Sequence, residues 1–272
     1  MASIFGTMGK KREPEIDLIR HNAIKTIKSA KSKFRMFSNE IVLCCDDKKY
    51  WRKDYFPYYK TSRKEAQQKM NVNWESVYNI VHTLKDEFRE YLPYKILQCD
   101  KVEGDDIIAT LIMRYNTEYP AMVIISRDKD FVQLQRFPNV QQYDFVSNRK
   151  LIEENPIKHL QEHILSGDRV DSIPNILSAD HCLTNHIAQN KITAKRKKLF
   201  FEDREQFFED YPESARNFIR NETLIDLTKI PEEVQDKIIN TYEEAEINSK
   251  SKLTGYLLIN RLKQHLEDIG SF

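Results

Sequence analysis

Glycine is scarce in this chain, 6 in 272 residues, and nowhere do glycines gather into a loop that could cradle nucleotide phosphates. Cysteine is scarcer still. Cys44, Cys45, Cys99 and Cys182 form no CxxC pair, so no disulfide framework is expected and a reducing cytoplasm is the expected setting. No apolar stretch approaches the ~20 residues of a membrane span, and Met1 to Met8 lack the basic start and apolar core of a signal peptide. A charge imbalance is missing too: Lys+Arg number 43 against 42 Asp+Glu, a formal net charge of +1. Net charge therefore announces no nucleic-acid partner, and only segregation of the two signs could. Internal repeats and low-complexity tracts are absent.

What is present suits one sizeable α/β domain with an attached helical region, or a pair of small domains. Residues 14–37 predict a helix, with Ile16, Ile19, Ala23, Ile27, Ala30 and Phe34 at spacings of three and four. Ile41 to Cys45 is a continuous apolar run ending in Asp46 and Asp47, as in a strand buried on both faces of a parallel sheet. Asn73 can cap a second helix whose apolar face carries Trp74, Val77, Val81, Leu84 and Phe88. Lys95–Cys99 is a short strand candidate before a helix from about Glu103 to Tyr115. Ala121–Ile125 is another buried-strand run, ending in Ser126-Arg-Asp-Lys-Asp130, and Val140–Phe145 is a weaker one. Strands alternating with helices predict an α/β fold, a parallel sheet with crossover helices. Past about Pro156 the pattern is helical, so a boundary is expected near 150, dividing an α/β core (1–150) from a helical region (151–272).

Acidic residues recur where a parallel sheet places its chemistry, past the carboxyl ends of strands. Asp46 ends one apolar run; Asp128 and Asp130 end another. Glu103 and Asp106 stand three apart at a helix start and share a face, with Asp105 turned away. Asp168 and Asp171 flank a loop after Gly167, itself a helix stop. Taken singly, each acid has a structural explanation as a helix cap, a dipole partner or a solvated loop residue. Gathered in one place they would repel each other and raise each other's pKa values unless hard cations sat among them. Mg2+ prefers such oxygen ligands, and two ions about 4 Å apart can clamp the attacking and leaving oxygens of a phosphodiester.

Between 48 and 69, Lys48, Lys49, Arg52, Lys53, Lys60, Arg63, Lys64 and Lys69 interleave with Trp51, Tyr55, Phe56, Tyr58 and Tyr59. Cations that neutralise phosphates and rings that stack on unpaired bases predict a single-strand channel; the alternative is a basic helix with its aromatics packed inward. His159 and His163 stand four apart on a helix, a spacing that suits a metal pair. No third ligand is evident for them, and His181, Cys182 and His186 lack a zinc spacing, so no zinc site is expected. The Lys191–Lys198 cluster reads as a surface loop.

Four segments, Val42-Leu-Cys-Cys-Asp46, Val102-Glu-Gly-Asp-Asp-Ile107, Ile125-Ser-Arg-Asp-Lys-Asp-Phe131 and Gly167-Asp-Arg-Val-Asp-Ser-Ile-Pro174, resemble in order and spacing the metal-binding blocks of the 5′-nuclease superfamily. The chain is most similar to its branch of ribonucleases H from T-even-like phages, which are flap endonucleases and 5′-exonucleases. The resemblance implies a PIN-like nuclease core, with Asp46, Glu103, Asp106 and Asp128 around a first Mg2+ and Asp130, Asp168 and Asp171 around a second. Asp105 fills a further position that is often acidic, and Mn2+ could substitute for Mg2+. Where Gly104 stands, alanine is commoner in the family, a difference expected to matter little. Tyr59-Lys60-Thr-Ser-Arg63 is similar to the family's arch (48–72 here), which would bring Lys60 and Arg63 to the scissile phosphate. Lys49, Arg52, Lys53 and Lys64 would contact nucleic acid. Segment 164–190 takes the place of a helix–turn–helix that grips duplex backbone.

The resemblance further implies DNA or RNA–DNA substrates with 5′ ends or flaps, and RNA primer removal in phage DNA replication in the host cytoplasm. A replication single-strand-binding protein or sliding clamp is the implied protein partner. The family begins with an apolar strand ending in a metal-ligand Asp, and Met1–Phe5 matches the segment just after it. Either the start was assigned at an internal methionine or that strand is lost. A non-catalytic binder of branched DNA is the rival reading, crippled by that missing aspartate. An aspartate-nucleophile phosphatase at Asp46 is a third, without the DxDxT-like spacing it needs.

Overall fold

The computed structural model of the chain describes residues 15–35, 40–70, 72–267 and 269–272; Met1–Phe5 lies outside them. The expected first helix is α1, Ile16–Phe34, which buries Ile19, Ala23, Ile24 and Ala30. The apolar run after it becomes β1, Val42–Cys44, paired in parallel with β2, Lys95–Leu97. The crossover between them carries α2 (Trp51–Tyr55), α3 (Thr61–Gln68) and α4 (Trp74–Tyr91). Asn73 caps α4 as expected, its side chain accepting from the Ser76 amide at 3.1 Å, and Val77, Leu84 and Phe88 are buried along one face. α5, Gly104–Tyr115, then leads to β3, Met122–Ile125. A 3-10 helix, Lys129–Arg136, joins β3 to its parallel neighbour β4, Val140–Asp144. A hairpin adds β5, Arg149–Leu151, antiparallel to β4, an edge strand too short and polar to announce itself in the sequence.

The sheet is thus α/β and mainly parallel, in two pieces among the described residues, β1–β2 and β3–β4–β5. Between β1 and β3 lies a largely apolar cavity of about 550 Å3, lined by residues including Ala23, Val42, Cys44, Leu84, Ile112 and Ile124. This corrects the expectation that the run at 41–45 is buried on both faces: its residues are half-buried, and Ile41 to Cys45 line this cavity.

The helical second half comprises α6 (Pro156–Ser166), α7 (Ala194–Glu202), α8 (Arg204–Asp210), α9 (Glu213–Ile225), α10 (Glu232–Glu244), α11 (Lys250–Ile259) and α12 (Lys263–Leu266). The expected boundary near 150 does not separate one core from another. Val234, Ile238 and Tyr242 of α10 pack in one cluster with Leu97, Ile107, Leu111 and Ile124. Leu253, Tyr256 and Leu257 of α11 likewise join Ile19, Leu84 and Phe88. The helix–turn–helix expected at 164–190 is not formed. After α6 the chain runs through turns and an isolated bridge, Asp168 to Ile173, with no helix until Ala194. Several lysines of the cluster expected to be loop instead lie at the start of α7.

Candidate metal centre

Backbone geometry brings the acids together. Asp46, past the end of β1, accepts a 2.7 Å hydrogen bond from the Gly104 amide at the start of α5, where unpaired N–H groups attract a carboxylate. A Cβ on Gly104 would stand 3.2 Å from that Asp46 oxygen, so alanine here would have to nudge the Asp46 side chain. Asp128 caps the 3-10 helix after β3, accepting from the Asp130 amide at 3.1 Å. Asp168 accepts from the amides of Val170 and Asp171 at 2.7 and 3.1 Å, which folds the loop back on α6. Gly167 makes that fold possible: its φ is +68°, and a Cβ would lie 2.4 Å from the Ile173 carbonyl oxygen, a position closed to any other residue.

One small cavity, about 20 Å3, is lined by Glu103, Asp105, Asp130, His163, Asp168 and Asp171. Two features reverse the expectation from helical spacing. Glu103 and Asp106 do share a face of α5, but it points inward. Asp106 is fully buried, accepts from Trp51 Nε1 at 3.0 Å, and lies 2.7 Å from Arg52 Nη1. Asp105, expected to be turned away, is the acid that faces Asp46 and Asp128. Burial first, then those two charges, push its carboxyl up to about 8. Asp130 is raised in the same way, to about 6, by burial and by Asp128.

Arg52 also departs from expectation. It is 2% exposed, donates to Glu103 at 2.9 Å and to the Leu224 carbonyl at 2.9 Å, and so braces acids instead of contacting nucleic acid. Burial alone would raise Glu103, yet Lys60 and Arg52 outweigh it and hold that carboxyl below its usual range. Most aromatics of the 48–69 stretch follow the inward reading: Trp51, Phe56 and Tyr59 are buried, whereas Tyr55 is exposed. The Tyr59 hydroxyl bridges Glu103 and Asp171, at 3.0 and 3.1 Å. Lys60 pairs with Glu103 and lies 3.6 Å from Asp171; Arg63 pairs with Asp171 at 2.6 Å. Lys49 and Lys53 are exposed. Lys64 lies in α3, and its side chain is outside the described residues.

His163, singled out in the sequence only as half of a pair with His159, stands instead among acids that sequence reasoning did not join to it. Its two ring nitrogens face two carboxylates, Nδ1 at 3.7 Å from Asp130 and Nε2 at 3.2 Å from Asp168. Burial works to lower its pKa, but the bond to Asp168 and the charge of Asp130 hold it above the usual value. Spacing to His159 was the wrong signal; the useful one was its position four residues before Gly167.

The donor set fits divalent cations. Asp46, Asp105, Asp128 and Asp130 crowd together with fewer cations beside them than charges; burial first, and that crowding second, raise the carboxyls of Asp105 and Asp130. Hard oxygen ligands in this arrangement suit Mg2+ or Mn2+.

Acids past the ends of β1 and β3 and in the loop after α6 thus converge beside Lys60 and Arg63. The 5′-3′ exonuclease N-terminal resolvase-like domain matches residues 16–164, and the C-terminal domain of T4 RNase H matches residues 156–272. Ribonuclease H of Enterobacteria phage T4 is 30% identical over 273 residues, which span 96% of this chain and 89% of that protein. A 5′-3′ exonuclease of Buchnera aphidicola is 25% identical over 57% of this chain and 54% of its own length. The D15 protein of phage T5, co-crystallised with metal ions, has the same fold, with a TM-score of 0.62 at 18% identity over 84% of this chain and 91% of that one. A D15 flap endonuclease complex with DNA and metal ions gives 0.59 at 17% identity, over 89% and 95%. The chain belongs to the 5′-3′ exonuclease family, in the branch that carries a T4 RNase H-type C-terminal domain. No helix among the described residues is long and apolar enough to cross a membrane.

Proposed function

We propose that the protein hydrolyses phosphodiesters at 5′ ends and flaps of DNA or RNA–DNA hybrids, using two Mg2+ ions for which Mn2+ can substitute. Its role would be removal of RNA primers in phage DNA replication in the host cytoplasm, alongside a single-strand-binding protein or sliding clamp. The observation that carries the reading is the excess of carboxylate around Asp105 and Asp130 beside the cations Lys60 and Arg63. Bound among these acids, divalent ions would make water a nucleophile near neutral pH and neutralise phosphate oxygens.

The protein's own residues supply the rest. Asp46, Asp105 and Asp128 would hold one ion, and Asp130 with Asp168 the other. Glu103 and Asp106, braced by Arg52, set the pitch of α5 and with it the aim of Asp105. Lys60 and Arg63, released from Glu103 and Asp171 by an entering phosphate, would offset negative charge developing in the transition state. Lys49 and Lys53 would contact the strand outside the cluster.

The test is a 5′-labelled flap substrate incubated with Mg2+ or with chelator, using the wild-type chain and Asp130→Asn, with binding followed by gel shift. Mg2+-dependent cleavage that falls to near background in Asp130→Asn, at unchanged affinity, is expected. Tight binding of the flap with no cleavage in either condition would instead make the protein a binder of branched DNA.

A further inference from the structure

The role of His163 goes beyond an all-carboxylate centre, and the case rests on the metal-dependent reading above. His163 lies on α6, and its carbonyl accepts the Gly167 amide at 2.8 Å at the helix end, so its backbone is fixed. One donor atom each from Asp130, His163 and Asp168 lie within 4.8 Å of one another. Ligand atoms about 2.1 Å from a shared ion stand roughly 3–3.5 Å apart in tetrahedral or cis-octahedral geometry. Nε2 stands 3.2 Å from Asp168 and already meets that spacing, whereas the 3.7 Å contact to Asp130 is made by Nδ1; for one nitrogen to share an ion with both acids, the three donor atoms must close from within 4.8 Å to that spacing, by turning the ring and the Asp130 carboxylate. The three side chains are 18–30% exposed, open enough for an ion to enter.

We propose that His163 is a nitrogen ligand of the ion held by Asp130 and Asp168, and that it makes this position favour Mn2+, Co2+ or Zn2+ over Mg2+. Imidazole suits first-row transition ions, whereas Mg2+ keeps to oxygen. The other position, among Asp46, Asp105 and Asp128, offers only oxygen. The protein therefore carries two unlike metal positions.

Pulsed electron paramagnetic resonance of the Mn2+-loaded full chain reads the ligand directly. Wild type is expected to show a 14N coupling that changes to 15N when histidine is isotopically labelled, and that disappears in His163→Ala and His163→Gln. Mn2+ affinity should fall about tenfold or more in both variants, while Mg2+ affinity holds or rises; thermal unfolding confirms that both variants are folded. Bound Mn2+ without a histidine nitrogen coupling overturns the proposal, as does an equal change in affinity for both ions. Failure of wild type to bind Mn2+ at any site, with no dependence on Asp130, would sink the metal-dependent reading itself.

Discussion

Removing the positive charge of Arg52 should destabilise the protein from beneath its acidic cluster. Arg52 is 2% exposed and stands against two acids equally buried, Glu103 at 2.9 Å and Asp106 at 2.7 Å. Arg52→Met keeps the apolar stem and leaves those carboxylates without their shared counter-charge. Breaking such a buried pair from one side costs about 3–5 kcal/mol, which for a chain of this size lowers the melting temperature by about 6–20 °C. The pH dependence identifies the cause. In wild type Glu103 is held below its ordinary value. It therefore contributes stability above its unfolded pKa, and that contribution is lost as pH falls through the folded value. In the variant the folded values of Glu103 and Asp106 both rise, so the penalty is full near pH 8 and shrinks toward pH 5 as the acids take up protons. Thermal unfolding of both proteins in chelator, across pH 5–8, measures the gap. A gap below about 1 kcal/mol, or one equal at both ends of the range, would refute the reasoning.

Two further outcomes follow from the same electrostatics. Asp105 is raised to about 8, so the stability tied to its proton is full below the unfolded pKa of about 3.9 and is lost as pH rises toward 8. Asp105→Asn should therefore melt higher than wild type at pH 8 in chelator yet bind divalent ions more weakly; calorimetry with and without Mg2+ checks both, and an unchanged pH slope counts against it. Lys60→Ala and Arg63→Ala should lower the single-turnover rate more than affinity. Lys49→Ala and Lys53→Ala should mainly weaken binding and flatten its salt dependence. Four variants that change affinity alone would remove the catalytic assignment of Lys60 and Arg63.

Elements with strong local signals were legible. The apolar runs at 41–45 and 121–125 contain β1 and β3, and the Asn73 cap starts α4 where expected. The helix–turn–helix failed because a good match at Gly167-Asp-Arg-Val-Asp says nothing about the residues that follow, which settle into turns. Arg52 was misread because a basic, aromatic stretch looks alike whether its face meets solvent or core. The periodicity of α5 correctly grouped Glu103 with Asp106, but a helix cannot say which of its faces meets the site. The burial of Asp106 and the exposure of Asp105 to Asp46 and Asp128 answered that.

Composition and order along the chain decided the chemistry: acids after apolar runs, few glycines, no thiol pairs, and cations clustered between two strands. These are local properties, set by residue type and spacing; the family follows from the four acidic segments that resemble it and from the match of both halves of the chain. Tertiary structure alone decided which acids serve the cluster and which brace it, because burial and counter-charge come from residues far apart in sequence. Leu224 fixes Arg52 across a separation of 172 residues. His163 reaches Asp130 because α6 packs against the 3-10 helix after β3. The helical second half completes the first half's core through α10 and α11, since an apolar face on a helix predicts burial but not the surface that supplies it.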